Sequence, residues 1–356
     1  MKTDFDELNR KIPLPDAAAA DEASRRWDSI AKPLQGLGQL ETMVIRIASL
    51  TGSADVRPDK RAVLVLCADN GVVAEGVTQT DASVTAIMAG QILRKNSSVC
   101  RMSAAAGADV FPVDMGMLTR IPGVAGPHIA DGTRNFTAGP AMTEEETDAA
   151  IRCGIDLVRQ YKELGYNILI TGEMGIGNTS TSSAVASVLL GLPVREVTGR
   201  GAGLSDAGLE RKIRAILRGI EVNKPSPADA FGVLQKLGGF DIAGMTGMFI
   251  GGALYRVPVI IDGLISSVAA LIAVRLCPAC RAAMLPSHSS AEPAAKAISA
   301  ELGLHPILFA DMKLGEGTGA VCLLPLLDMA LAVYHGSARF SAAGVKQYEK
   351  LGGEKP

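Results

Sequence analysis

Three glycine-rich segments place reactive side chains where the backbone can close around a ligand. The first is Thr171-Gly172-Glu173-Met174-Gly175-Ile176-Gly177-Asn178-Thr179-Ser180-Thr181-Ser182-Ser183, entered by an apolar run and left by one rich in Ala, Val and Leu. Gly175 and Gly177 let backbone N–H groups turn toward an anion. Asn178 or Thr179 can cap the following helix, whose N-terminus favours a phosphate. The segment is neither GxxxxGK[ST] nor a complete GxGxxG, so a tight turn before a capped helix is the other reading. The second segment, Thr198-Gly199-Arg200-Gly201-Ala202-Gly203-Leu204-Ser205-Asp206, offers Ser205 or Asp206 as an N-cap. Lys212 stands within two turns of that helix start, where it either reaches a phosphate or is an ordinary solvated lysine. The third segment, Lys313-Leu314-Gly315-Glu316-Gly317-Thr318-Gly319, holds a carboxylate between two glycines just before an apolar helix. Glycine neighbours expose Glu316 to a flat ligand. In a dry pocket burial raises its pKa and makes it a stronger proton acceptor, whereas in the plainer reading it is an acidic residue stabilised by a helix dipole.

Other reactive residues carry less. Cys277-Pro-Ala-Cys280 is a lone CxxC with no second pair. Ser287-His288-Ser289 has no nucleophile elbow and is read as a polar strand end lining a pocket. His128, His305 and His335 show no metal-ligand spacing, and no metal is expected.

These segments need a rigid scaffold. Arg61–Cys67 is a short continuous apolar run, the pattern of a strand buried on both faces of a parallel sheet. Asp109–Val113, Asn167–Thr171, Pro258–Asp262, Arg281–Leu285 and Pro306–Ala310 read the same way. Helical patterns at Leu37–Leu50, Glu144–Leu164, Asp206–Glu221, Gly263–Leu276 and Ala291–Leu302 surround or separate most of them. The alternation predicts an α/β fold with a parallel sheet flanked by helices. In such sheets ligands lie beyond the carboxyl ends of the strands, so Asp69-Asn70-Gly71, Glu173, Asp262 and His288 should converge on one pocket. Residues 1–30 are polar and Ala-rich, with Pro13 and Pro15 expected to break any early helix.

Composition narrows the function classes. The chain has 356 residues, enough for one large α/β domain or two smaller ones. Its 35 basic against 37 acidic residues leave a net charge of −2, which argues against a nucleic-acid partner. Aromatics at 4% make a poor base-stacking platform. The charged N-terminus lacks a signal-peptide core, and Arg256, Pro258 and Asp262 interrupt the apolar stretch Met248–Leu276, so neither secretion nor membrane insertion is expected. The expected location is the cytoplasm. The six scattered cysteines read as small buried hydrophobes.

Eight segments in order carry a family resemblance. They are Lys32-Pro-Leu-Gln-Gly-Leu-Gly38, Ala68-Asp-Asn-Gly-Val-Val-Ala-Glu-Gly-Val-Thr78, Gly172-Glu-Met-Gly-Ile-Gly-Asn-Thr-Ser180 and Gly199-Arg-Gly-Ala-Gly203. The others are Gly238-Gly-Phe-Asp-Ile-Ala243, Val259-Ile-Ile-Asp-Gly263, Ser287-His-Ser-Ser-Ala-Glu-Pro293 and Leu314-Gly-Glu-Gly-Thr-Gly319. Together they cover nearly the whole chain, from about residue 32 to about residue 328. The sequence resembles the nicotinate-nucleotide:dimethylbenzimidazole phosphoribosyltransferase family, enzymes of cobalamin lower-ligand assembly. The resemblance implies a Rossmann-like large domain over residues 56–320 and a small helical domain from residues 1–55 plus 321–356. It also implies a homodimer whose neighbouring subunit completes the pocket, with a heterodimer of homologous subunits as the alternative.

The implied reaction moves the phosphoribosyl group of nicotinate mononucleotide to an aromatic lower-ligand base, with inversion at the anomeric carbon and no cofactor. The leaving pyridinium needs no general acid, whereas the incoming benzimidazole must lose its N–H proton. By the same resemblance Glu316 matches the general base. Gly175, Ile176, Gly177, Asn178, Lys212 and Ser290 match the phosphate cradle. Glu173, Asp241 and Asp262 take ribose or supporting roles, and Thr78, Thr80, Met174 and Leu314 line the base pocket. The sequence departs from the family at Thr78-Gln-Thr-Asp-Ala-Ser-Val-Thr85, where many members have Ser-Ala-Tyr-Pro-Gln-Glu-Val-Thr, and at Lys313, where Arg is common. The acceptor is therefore open among dimethylbenzimidazole, other benzimidazoles, adenine and phenols. A nucleotide-binding partner subunit without turnover and a dinucleotide-dependent oxidoreductase are the competing readings.

Overall fold

The computed structural model describes residues 3–349 of the chain. Five parallel strands form one sheet in the order β2-β1-β3-β4-β5. They are β1 (Arg61–Ala68), β2 (Ala108–Gly116), β3 (Ile168–Met174), β4 (Val259–Ile261) and β5 (Met284–Pro286). Every residue of β1 is buried, as its unbroken apolar run requires of a central strand with helices on both faces. Val63 pairs with Val110 on one side and Ile170 on the other, and Ile260 lies between Ile170 and Leu285.

Seven helices build and support the site: α1 (Ser98–Ala105), α2 (Glu144–Glu163), α3 (Asn178–Leu190), α4 (Asp206–Asn223), α5 (Phe240–Leu254), α6 (Leu264–Leu276) and α7 (Thr318–Val321). Helix α2 starts with a capping box, Thr143 against Glu146, and carries three acidic residues in its first turn. Helix α5 is buried along Phe240–Ala253. Its small residues Gly244 and Gly247 lie directly against Gly154 of α2, so the two backbones nearly touch.

Contacts divide the chain into two units. The large one holds Pro58–Cys322 and the described residues up to Pro13, and it contains the sheet. The small one holds Leu14–Arg57 and the described residues from Leu323 onward. Its helices Ala17–Ser29, Gln39–Thr51 and Leu323–Gly336 enclose Trp27, whose ring lies 4.9 Å from that of Tyr334.

Two expectations need correction, the unit to which the first helix belongs and the strand at Pro306–Ala310. The helix Phe5–Lys11, expected in the small unit, belongs to the large one. Pro13 and Pro15 do break the early helical stretch as expected, and helices Phe5–Lys11 and Ala17–Ser29, each capped by an aspartate, flank them. Pro306–Ala310 is not a strand: it meets the sheet system through the isolated bridge Leu308–His288. As expected, no helix within Met248–Leu276 is long enough to cross a membrane; among the described residues the helical stretch that has the length and composition is Thr318–Gly336, and half of its hydrophobic window is buried inside the molecule, as in a core helix. All six cysteines are unpaired; Cys67, Cys100, Cys277 and Cys280 are buried, while Cys153 and Cys322 are half-buried.

Candidate functional site

The carboxyl ends of β3, β4 and β5 open onto a cavity of about 330 Å³, within the range of small-ligand sites. Its wall includes Glu173, Met174, Gly175, Ile176, Gly177 and Asn178 from the turn after β3. Asp262 contributes from the end of β4 and His288 with Ser290 from the segment after β5. Leu314 and Glu316 enter from the third glycine-rich segment, and Thr78 and Thr80 from the loop after the first strand. Three of the four strand ends expected to converge do so; Asp69-Asn70-Gly71 lies behind the wall rather than in it.

Glu316 is 7% exposed. Its Oε2 accepts the Val99 N–H of α1 at 3.2 Å, and the Ser97 hydroxyl bonds the same carboxylate. Burial raises its pKa above the usual carboxylate value, those two hydrogen bonds oppose the rise, and the charge of Asp262 adds to it. Glu316 is thus a carboxylate at the cavity wall with raised proton affinity, which is what a base toward an aromatic N–H needs.

The turn after β3 ends in Gly177, which has φ 94° and is the N-cap of α3. Neither Asn178 nor Thr179 caps the helix, contrary to expectation, so the first turn of α3 has no side-chain acceptor. Asn178 is turned aside instead: its amide donates to Glu173 and, at 3.0 Å, to Asp241 Oδ2. An uncapped helix start beside a cavity suits an anion.

Lys212 departs from the reading of an ordinary solvated lysine, and it stands one residue back from the cavity. It is not a solvated helix lysine, because it is fully buried, and it is absent from the cavity wall. Its Nζ donates to Thr179 Oγ1 at 2.8 Å and to the Gly199 carbonyl at 3.1 Å, and Thr179 does line the cavity. Burial pulls its pKa down to about 8 against the opposing charge of Glu292.

Asp241 also stands behind the wall, fully buried beneath Asn178, with its pKa pushed up by burial to about 6. Glu173 is held well above the ordinary carboxylate range by burial first and by the charge of Asp241 second. It also accepts the backbone N–H of Glu316. Asp262, its pKa likewise raised by burial, accepts the N–H groups of Gly317 at 3.2 Å and Ala320 at 2.9 Å.

The loops at the mouth are tied together. Gln79 donates to the Ala202 carbonyl at 3.2 Å, which joins the segment of Thr78 and Thr80 to the second glycine-rich loop. Arg200, Ser98, Met88 and Met312 also line the cavity. Sequence reasoning gave them no part, although Arg200 lies inside a motif it singled out. Met88 and Ser98 sit in segments with no motif, and only the fold brings them in. Among the described residues no cluster of His, Cys, Asp and Glu has a metal-holding arrangement.

Comparison with known proteins covers nearly the whole chain. A family model described as "Phosphoribosyltransferase" matches residues 12–345. The nicotinate-nucleotide–dimethylbenzimidazole phosphoribosyltransferase of Ruminiclostridium cellulolyticum is 45% identical over 349 residues, 98% of this chain and 99% of that one. The enzyme of the same name from Acetivibrio thermocellus is 43% identical over 92% of this chain and 94% of its own. The crystal structure of nicotinate-nucleotide–dimethylbenzimidazole phosphoribosyltransferase from Thermus thermophilus superposes with a TM-score of 0.86 at 34% identity, covering 94% of this chain and all of that one.

Proposed function

This chain belongs to the nicotinate-nucleotide–dimethylbenzimidazole phosphoribosyltransferase family of pentosyltransferases, and from that premise we propose how its own residues carry the transfer. The phosphoribosyl group of nicotinate mononucleotide passes to an aromatic lower-ligand base such as 5,6-dimethylbenzimidazole, giving an α-ribazole-type 5′-phosphate and nicotinate. The base nitrogen attacks C1′ while its N–H proton passes to Glu316. The C1′–N bond to the pyridinium breaks with its electron pair going to the nicotinate nitrogen, so the ring nitrogen departs neutral and needs no acid.

The observation that carries this reading is the juxtaposition of the buried Glu316 carboxylate with the uncapped start of α3 across one cavity. The phosphate lies on Gly175, Ile176, Gly177, Asn178 and Ser290, with Lys212 supplying charge from behind Thr179. Glu173, Asp241 and Asp262 support the site or meet the ribose, and Thr78, Thr80, Met174 and Leu314 flank the acceptor. A single direct displacement at C1′ by the acceptor inverts that carbon, and inversion is the stereochemistry assigned to this transfer.

The stretch Thr78–Thr85 departs from the family pattern beside the acceptor end of the cavity. That departure favours a second reading in which another benzimidazole, adenine or a phenol is the acceptor. The enzyme works in the cytoplasm as a dimer. Purified protein incubated with nicotinate mononucleotide and 5,6-dimethylbenzimidazole, benzimidazole, adenine or p-cresol should release nicotinate and one ribotide, followed by chromatography and mass. Turnover ranks the acceptors. Absence of turnover with all four would point to a supporting subunit of a two-chain enzyme.

A further inference from the structure

Glu316 stands on a segment that ordinary backbone does not hold. Gly315, Glu316 and Gly317 are consecutive left-handed residues with φ 88°, 60° and 91°. A residue with a side chain stays in that region only where its surroundings over-determine it. Helix α7, the next element, spans only Thr318–Val321, and its N-cap Gly317 has no side chain to offer the free N–H groups of the first turn. Asp262 supplies the missing acceptor from the end of β4. Its Oδ2 takes the Gly317 N–H at 3.2 Å and its Oδ1 the Ala320 N–H at 2.9 Å.

Asp262 is itself tied to the sheet. Its N–H donates to Ser266 Oγ at 3.1 Å, Ser266 Oγ lies 2.6 Å from Thr171 Oγ1, and that hydroxyl donates to the Ile260 carbonyl at 2.9 Å. On the other side of α7, Gly319 packs so closely on His288 that any Cβ there would overlap the imidazole. The turn bearing Glu316 is therefore clamped between β4 and the segment after β5.

We propose that Asp262 is the positioning residue for Glu316: it pins the left-handed turn to β4 and so sets where the Glu316 carboxylate stands in the cavity. This rests on Glu316 being the base. A direct ribose contact fits Asp262 less well, because a substrate hydroxyl would compete with two backbone N–H groups already bonded to its oxygens. Its negative charge has a second effect, raising the proton affinity of Glu316. The other titratable groups facing Asp262 are Glu173, His288 and Cys322.

The test compares wild type, Asp262→Asn, Glu316→Gln and the double variant. It reads kcat, KM for each substrate, the pH profile of kcat/KM, and calorimetric binding of nicotinate mononucleotide. The asparagine keeps the shape but sets an amide N–H₂ against one of the two backbone N–H groups. Displacing a reacting group by about 1 Å can cost on the order of a hundredfold, so Asp262→Asn should lower kcat roughly ten- to a hundredfold. Nucleotide affinity should stay within about threefold, because a positioning loss falls on kcat rather than on binding. The acidic limb of kcat/KM should move to lower pH as Glu316 loses its anionic neighbour. In the Glu316→Gln background the same change should cost less than about twofold more, since the two residues act as a unit.

Equal losses in both backgrounds would overturn the proposal, because Asp262 would then act on the substrate itself. An unchanged kcat for Asp262→Asn beside a crippled Glu316→Gln would also overturn it, with the base assignment left standing. A Glu316→Gln enzyme of near wild-type rate would instead remove the base assignment on which the proposal rests. If Asp262→Asn does not fold, Asp262→Ser, which keeps one acceptor, carries the same comparison.

Discussion

At the scale of single residues, burial moves the proton affinities of Glu316 and Lys212 in opposite directions, up for the carboxylate and down for the amine. A carboxylate between two glycines announces exposure to a flat ligand, and the left-handed φ values on both sides of Glu316 explain why glycine stands there. Glu316→Ala should cut turnover about a hundredfold or more, the scale of general-base loss. Nucleotide binding, measured by calorimetry, should persist; a variant of near wild-type rate would take Glu316 out of the mechanism. Burial raises the Glu316 pKa, so kcat/KM should fall on the acid side at a pH above the ordinary carboxylate value. Lys212 carried no sequence signal for burial, because its helix α4 reads as amphipathic and its partners Thr179 and Gly199 are distant in sequence. Burial brings its pKa down to about 8 even with the charge of Glu292 opposing, so the charged form is costly. Stability from this group should rise as pH climbs from about 8 toward the unfolded value of 10.5, where the unfolded chain holds the extra proton. A phosphate dianion reverses that preference, so nucleotide binding above pH 8 should take up a proton and weaken as pH rises further. Calorimetry in two buffers of different ionisation enthalpy reads that uptake. Lys212→Met should abolish it and weaken the nucleotide more than the acceptor; an unchanged uptake in the variant would place the phosphate elsewhere.

At the scale of elements, the strands nearest the site were the clearest part of the sequence. Apolar runs ending in polar residues located β1 and β3 to within a few residues, because burial on both faces favours apolar side chains along the strand. The same logic misled at Pro306–Ala310, a short apolar run that lies beside the sheet without joining it. Helix α5 was missed for the opposite reason. It is apolar all round, so no 3.6-residue stripe marks it, and its true signature is the row of glycines that lets it touch α2. The turn between β3 and α3 was placed correctly but its capping was not, since Asn178 serves the buried carboxylates Glu173 and Asp241 rather than the helix start. That arrangement makes Gly175 a sensitive position. A Cβ there would lie 2.6 Å from the Ala68 carbonyl and 2.9 Å from Asp241 Oδ2. Gly175→Ala should therefore cost about 1–3 kcal/mol of stability by overpacking, and KM for nicotinate mononucleotide should rise as the turn is pushed into the cavity. Urea unfolding and steady-state kinetics check both; a variant as stable as wild type with unchanged KM would show that the turn is not held as tightly as these distances imply.

At the scale of the whole molecule, the question is how water is kept from the reacting centre. An oxocarbenium-like C1′ is open to hydrolysis, so transfer to an organic base requires exclusion of solvent. Leu314, which lines the cavity beside Glu316, is 54% exposed, and Phe309, a few residues earlier in the chain and outside the lining, is 80% exposed. Large apolar side chains left in the open are what an association surface presents. The family resemblance pointed to dimerisation from sequence, but no residue pattern could say which surface is used, because an isologous interface is written in side chains scattered along the chain. Phe309 and Leu314 are the side chains on which the dimer should depend. Light scattering should give a particle of twice the 36.9 kDa chain mass. Phe309→Glu should shift the population toward single chains, because each interface would bury an unpaired carboxylate at a cost of several kcal/mol. The same variant should increase hydrolysis of nicotinate mononucleotide relative to transfer, measured as free ribose 5-phosphate against ribotide. A wild-type particle of single-chain mass would sink the dimer. A dimeric Phe309→Glu enzyme with an unchanged ratio of hydrolysis to transfer would move the interface away from the cavity mouth and leave the closing of the site to the chain's own loops.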